Sequence, residues 1–292
     1  MSSVKLWIKG ARVRTLPLAV APVLIGAGTA QLAGKLDLGL VLLAAAVALL
    51  LQIGVNYSND YSDGIRGTDE FRVGPARLTG GGFVEPNKVR NAAFASFVLA
   101  AVAGLAISLL TSQWWIIALG LVCIVVAWFY TGGKKPYGYS GLGEVVVFIF
   151  FGLVATIGTD YIQTLEVNLL SVVGGIAAGC FATAVLLINN VRDLETDRLS
   201  GKKSLSTIIG KRASLVLFVV LTWVPFSMVA PIWLVAPAAF IVNLLVLPVL
   251  VINIIAVSAK TPKDQILALQ LTSFTALFFA VGLCWGMFTL GF

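Results

Sequence analysis

Histidine is absent from this 292-residue chain. Its absence excludes histidine acid–base chemistry, histidine-ligated zinc and histidine-ligated haem. Charge is scarce too. Asp, Glu, Lys and Arg together make up 11% of the residues, against about 25% in a soluble domain. Cysteine is limited to Cys123, Cys180 and Cys284, isolated in apolar stretches without metal-ligand spacing. They read as small buried hydrophobes. Acids are the scarcest charges, 13 against 20 basic residues, so where they cluster is informative.

What fills the chain is hydrocarbon: 59% of residues are hydrophobic and mean hydropathy is +0.99. A membrane-spanning helix takes about 20 apolar residues. Nine such stretches lie near 15–34, 38–57, 91–111, 114–131, 143–160, 169–189, 213–230, 232–257 and 266–290. The expectation is an all-α polytopic membrane protein with nine transmembrane helices, the seventh and eighth separated near Pro231. The first stretch follows a basic N-terminus without a small-residue cleavage site, so it reads as a retained helix.

Charge placement orients the bundle. With nine helices, 19 of the 20 basic residues fall on one side and Lys35 alone on the other. The positive-inside rule makes the basic side cytoplasmic. The N-terminus and the polar loops are then cytoplasmic and the C-terminus opposite, in the cell membrane. The net charge of +7 reports this orientation, and no nucleic-acid footprint is expected. Asp160 and Glu166 fall opposite and read as plain loop residues. The chain reads as one domain, 1–292, with two weak four-helix repeats, about 15–131 and 143–257, plus a last helix. Oligomeric state is not legible.

Two acid–amide clusters stand at cytoplasmic helix ends. The first holds Asn56, Asn59, Asp60, Asp63 and Asp69; the second holds Asn189, Asn190, Asp193 and Asp197. Acids beside a membrane span are costly and point to function. Spacings of three and four residues put Asn56, Asp60 and Asp63 on one helical face, and Asn189, Asp193 and Asp197 on another. Carboxylates and amide carbonyls are hard oxygen donors suited to Mg²⁺, which is usually held by one or two carboxylates plus substrate phosphates. Two facing clusters would hold two or three Mg²⁺ around one diphosphate. Arg66, Arg72 and Arg77 after the first cluster, and Arg198, Lys202 and Lys203 after the second, supply phosphate contacts. The bland alternative is that each cluster pairs with its own basic neighbours at a solvated helix end. Glu70, Glu85 and Glu195 read that way.

These residues resemble the UbiA superfamily of intramembrane aromatic prenyltransferases. Asn59-Asp60-Tyr61-Ser62-Asp63 matches the start of its NDxxDxxxD motif, and Asp193-Leu194-Glu195-Thr196-Asp197 its DxxxD motif. The third acid, Asp69, comes six residues after Asp63 instead of four. That spacing is similar to the 1,4-dihydroxy-2-naphthoate branch. So are Ala11-Arg12-Val13-Arg14-Thr15-Leu16-Pro17, Gly74-Pro75-Ala76-Arg77-Leu78, Tyr130-Thr131-Gly132-Gly133, Gly138-Tyr139-Ser140-Gly141-Leu142-Gly143-Glu144 and Gly201-Lys202-Lys203-Ser204-Leu205. Val13 and Lys134 depart from the branch pattern.

The resemblance implies a nine-helix bundle around a central cavity, capped by the motif loops, in the lipid bilayer. It implies transfer of a polyprenyl group from polyprenyl diphosphate to 1,4-dihydroxy-2-naphthoate with loss of carbon dioxide and diphosphate, giving demethylmenaquinol, and demethylmenaquinone after oxidation, in menaquinone biosynthesis. Asp60, Asp63, Asp193 and Asp197 would bind Mg²⁺, with Arg77 and Lys202 the leading phosphate clamps and Arg72 and Lys134 behind them. Tyr57, Tyr61, Tyr130 and Tyr139 are candidates to face the allylic cation. Glu144 would orient or deprotonate the naphthol hydroxyl, or else complement a helix N-terminus. Arg14 or Lys134 would meet the acceptor's carboxylate. The rivals are another aromatic acceptor, such as 4-hydroxybenzoate or homogentisate, and, in a different class, a secondary transporter.

Overall fold

The computed structural model describes residues 3–68 and 77–289. Asp69 and Arg72 therefore lie outside the described residues, as does Glu70. The described chain folds into helices α1 (Ser3–Gly10), α2 (Pro17–Leu32), α3 (Leu38–Arg66), α4 (Pro86–Thr111), α5 (Trp115–Phe129), α6 (Gly143–Phe148), α7 (Ala155–Thr164), α8 (Leu169–Arg192), α9 (Leu194–Leu199), α10 (Leu205–Met228), α11 (Ala230–Val235), α12 (Val246–Ser258) and α13 (Pro262–Phe288). A π-helical turn over Ile149–Val154 joins α6 to α7, and a 3₁₀ stretch over Pro237–Leu245 leads into α12.

The all-α membrane class is as expected, but the count of nine spans is not. Seven helical stretches are long and apolar enough to cross a membrane among the described residues. An eighth forms if the N-terminal segment Val4–Thr15 and Pro17–Leu32, bent by 49°, is taken as one span. The expected fourth span is the apolar helix Trp115–Phe129. Its 15 residues reach about 22 Å, short of the roughly 30 Å hydrocarbon layer. The expected break at Pro231 is also displaced. Leu205–Val235 runs as one 31-residue span, because Pro231 sits in the first turn of α11, where a missing N–H costs nothing. The chain turns instead at Ala236, whose φ of −135° and ψ of 75° leave the helix before Pro237.

α3 explains how a hydrophobic helix carries a polar site. Asp37 caps it, accepting from the Leu40 amide at 3.0 Å. Its 29 residues extend about 43 Å, so the polar last third, from Asn56 onward, projects past the hydrocarbon. α8 is the central helix, with 83% of its spanning window buried. Small residues let its neighbours close on it. A Cβ on Gly152 would lie 2.5 Å from the Gly179 Cα, and one on Gly179 2.8 Å from the Phe148 ring. The larger core, around Phe181, Leu187, Phe218, Phe279 and Leu283, packs α2, α8, α10 and α13; a smaller one, around Leu78, Val89 and Phe97, sits under α3 and α4.

Hydrogen bonds sort the connections to two ends. At one end Arg66 donates to the carbonyls of Thr131 and Gly133, and Lys203 N donates to Tyr139 O at 3.3 Å. At the other, Asp37 N donates to Gln163 Oε1 at 2.8 Å. Asp160 is near that second end but is no loop residue. It is fully buried on α7, accepting from Asn168 Nδ2 at 2.7 Å.

Candidate active site

The two acid clusters converge on one polar cavity of about 140 Å³ at the basic end of the bundle. From α3 it receives Gln52, Asn56, Asn59 and Asp63, and from the end of α8 Asn189, Asn190 and Asp193. Arg77 and Lys202 enter from the two loops, and Arg12, Thr15, Tyr130 and Thr131 complete the polar wall. Val55, Tyr130, Val147 and Phe151 are shared with a second, apolar cavity of about 280 Å³. That cavity runs along α5 from Tyr130 and Tyr137 to Trp115, and reaches Tyr161 at the far end of α7.

Each acid already has protein partners. Asp63 accepts from Tyr139 Oη at 2.8 Å and pairs with Arg77 at 3.5 Å. Asp193 is held by Arg192, whose Nε lies 2.8 Å from Oδ1 and whose side chain is 3% exposed. Asp197 pairs with Lys202 at 3.3 Å, while its Oδ2 is buried without a hydrogen-bond partner. Burial raises the Asp197 carboxyl above its ordinary value, against the pull of Lys202. Asp60 accepts from the backbone amides of Leu78 and Thr79 at 2.8 and 2.7 Å and does not line the cavity.

The expected single face for Asn189, Asp193 and Asp197 does not form. The helix ends at Asp193, with φ −91° and ψ 7°, and Asp197 belongs to the short helix α9. The buried pairing of Asp193 with Arg192 holds this corner.

The amides act as fasteners as well as lining. Asn56 Nδ2 donates to Ala11 O at 2.9 Å, and Asn59 Oδ1 accepts from Thr131 Oγ1 at 2.8 Å. Asn190 Nδ2 donates to Glu144 Oε1 at 2.8 Å. Glu144 is 3% exposed and lies behind Asn190, outside the cavity wall. Tyr139 ties its own loop to the end of α3 and to the Lys202 loop. It donates to Asp63 and carries Arg66 and Lys202 over its ring, 5.5 and 5.6 Å from the centroid. Burial, then the Asp63 charge, pushes its phenol up, so it stays a neutral donor.

Other expected residues lie elsewhere. Tyr57 donates to Trp7 O at 3.1 Å and packs α1; Tyr61 stacks on Trp128. Arg14 sets its guanidinium against the Gln270 amide oxygen at 2.7–2.8 Å. Arg198 pairs with Glu195 on the exposed face of α9, and Lys134 is exposed. Arg66 serves the Thr131 and Gly133 carbonyls. The cation that reaches the cavity from the N-terminal segment is Arg12, held in the left-handed region at φ 52° and ψ 55°. Such a backbone is costly for a non-glycine residue and clusters at functional sites. Sequence reasoning missed Arg12 because periodicity carries no signal for a left-handed turn. Asn190 was visible as half of an Asn-Asn doublet, but its Glu144 partner was not.

Among the described residues no three acids or cysteines come together as a metal-binding group. The cavity offers Asp63 and Asp193 with Asn56, Asn59 and Asn189, and Asp197 keeps a buried oxygen unsatisfied beside it. That all-oxygen set fits Mg²⁺, which completes its shell with waters and substrate phosphates.

The sequence pattern of the UbiA prenyltransferase family matches residues 19–280. The chain is 49% identical to the 1,4-dihydroxy-2-naphthoate octaprenyltransferase of Mycobacterium tuberculosis over 218 residues, covering 75% of this chain and 74% of that protein. It is 32% identical to the Bacillus subtilis protein of the same name over 288 residues, covering 94% and 90%. Among solved structures, a UbiA homolog from Archaeoglobus fulgidus bound to DMAPP and Mg²⁺ shares the fold at a TM-score of 0.64 and 16% identity, covering 95% of this chain and 99% of that one. A family pattern spanning nearly the whole chain, over this helical architecture, makes the protein a member of the UbiA prenyltransferase family.

Proposed function

We propose that the protein transfers a polyprenyl group from polyprenyl diphosphate to 1,4-dihydroxy-2-naphthoate, releasing diphosphate and carbon dioxide and forming demethylmenaquinol, in the cell membrane with the polar cavity cytoplasmic. The observation that carries this reading is the pair of adjoining cavities. A polar chamber between two acid clusters adjoins a long apolar one, with Val55, Tyr130, Val147 and Phe151 lining both, which matches a substrate with a diphosphate head and a hydrocarbon tail. The mycobacterial relative's identity of 49% supports the naphthoate acceptor.

Asp63 and Asp193, with Asn56, Asn59 and Asn189, would hold two or three Mg²⁺ against the diphosphate, and Asp197 would steady the Lys202 side. When bound by these residues, Mg²⁺ would supply neutralisation of the charge on the diphosphate leaving group. Arg77 and Lys202 contact the phosphate oxygens from the two loops. Tyr130, at the junction, presents its ring to the allylic carbon, where cation–π attraction favours positive charge. The apolar walls exclude water that would otherwise capture the cation. Arg12 orients the acceptor through its carboxylate until that group leaves as carbon dioxide. Glu144 sets the Asn190 amide that faces the acceptor.

The test is product formation by purified protein in detergent with Mg²⁺, a polyprenyl diphosphate and 1,4-dihydroxy-2-naphthoate. A prenylated naphthoquinone that needs Mg²⁺ and is lost in both Asp63→Asn and Asp193→Asn is the expected result. Turnover only with 4-hydroxybenzoate or homogentisate would remove the naphthoate assignment. Folded protein that turns over no acceptor would remove the reaction.

A further inference from the structure

We propose that Asp60 is a positioning residue that anchors the Arg77 loop over the diphosphate site, and that it is not a metal ligand. The proposal rests on the prenyl-diphosphate reading above. In the sequence Asp60 is indistinguishable from the acids around it, but its surroundings differ from theirs. Asp60 is 1% exposed, and its two oxygens accept from the consecutive backbone amides of Leu78 and Thr79 at 2.8 and 2.7 Å. Successive backbone N–H groups of this kind form an anion-binding nest. Turning Asp60 toward a cation would strand the buried Leu78 donor and unpair that of the half-buried Thr79, and an unsatisfied buried donor is costly.

The loop is fitted to the helix at a second point. Gly64 lies one turn beyond Asp60 on the same face of α3. A Cβ there would stand 2.5 Å from Thr79 Cγ2 and 2.9 Å from Gly80 N. Leu78, 2% exposed, is the buried plug between. The loop then closes on itself, Gly82 N donating to Thr79 O at 2.9 Å and Phe83 N to Leu78 O at 3.0 Å. Arg77 is the residue just before the nest, so its backbone is set by Asp60. Its guanidinium reaches Asp63 at 3.5 Å and lines the polar cavity. The carboxylate thus acts on the diphosphate through Arg77.

Amide hydrogen exchange across residues 77–84 tests this in the wild-type full chain, with and without Mg²⁺ plus inorganic diphosphate. Slow exchange in both conditions is expected. Faster exchange on adding them would mean that Asp60 leaves the loop for the ion, and would overturn the proposal. Two variants extend the test. Asp60→Asn and Gly64→Ala should each speed exchange in this segment and raise KM for the prenyl diphosphate at least fivefold. Half-saturating Mg²⁺ for the binding of inorganic diphosphate should stay within twofold in both, whereas Asp63→Asn should raise it more than tenfold in the same binding measurement. An Mg²⁺ requirement raised by Asp60→Asn as much as by Asp63→Asn, with Gly64→Ala normal, would make Asp60 a ligand and end the proposal. If even Asp63→Asn leaves the Mg²⁺ and diphosphate dependence unchanged, the underlying reading fails first.

Discussion

Arg192 and Asp193 form a buried pair in which both guanidinium and carboxylate are nearly sealed from water, 3% and 7% exposed. Removing one partner of such a pair strands the other and costs about 3–5 kcal/mol. Arg192→Ala should therefore lower the Tm of the detergent-solubilised protein by several degrees, and Mg²⁺ with diphosphate should recover part of the loss by binding the exposed carboxylate. A Tm unchanged by the substitution would mean that the pair is not holding the α8–α9 corner. Glu144 offers a contrast, since its visible task is to accept from Asn190. Glu144→Gln keeps an acceptor oxygen and should retain turnover within about tenfold. Glu144→Ala leaves the Asn190 amide without it and should lose about 1.4–3 kcal/mol of transition-state stabilisation, roughly 10- to 150-fold in kcat. Equal and complete loss in both variants would instead make the carboxylate a proton acceptor.

At the scale of elements, two contacts between backbones set the site. The π-helical turn Ile149–Val154 presses Gly152 against Gly179 of α8, and α6, just before it, carries Glu144 to Asn190. Gly152→Ala has no room, and overpacking of this kind costs about 1–3 kcal/mol. It should lower both Tm and kcat, because it pushes α6 off α8. The apolar cavity depends on the opposite use of glycine. Gly104, Gly120 and Gly158 line it, and a Cβ on any of them would meet nothing within 4 Å. Gly158→Phe should fill that space, raising KM for an octaprenyl diphosphate about tenfold. Burial of each methylene is worth about 0.8 kcal/mol, so a few displaced methylenes suffice. KM for dimethylallyl diphosphate, too short to reach Gly158, should not change. A parallel rise for both substrates would place the tail elsewhere.

At the scale of the whole molecule, sidedness is the testable claim. The loops joined through Arg66, Tyr139 and Lys203 lie at one end, and the Asp37–Gln163 contact lies at the other. In intact cells a membrane-impermeant maleimide should label cysteine placed at Ser112 or Glu166. Cysteine at Lys135 or Lys260 should label only after permeabilisation. The reverse pattern would invert the orientation drawn from the basic residues. The bundle also shows why the site lies at a helix end. α3 is longer than the hydrocarbon is thick, so its polar last turns leave the lipid without leaving the helix.

Membrane class and the two acid–amide clusters were legible in the chain alone. Each depends on local composition: the length of an apolar run and the spacing of Asn and Asp. Tertiary structure decided what composition cannot encode. It shortened α5, moved the turn from Pro231 to Ala236, and broke the second motif at Asp193. It also sorted residues of one chemistry into different tasks. Asp63 faces the cavity and Asp60 a pair of backbone amides; Arg12 enters the site and Arg14 meets Gln270. The reason is physical. A carboxylate or guanidinium is satisfied by whichever partner the fold brings within about 3 Å, and such a partner can be remote in sequence, as Tyr139 is from Asp63 across 76 residues.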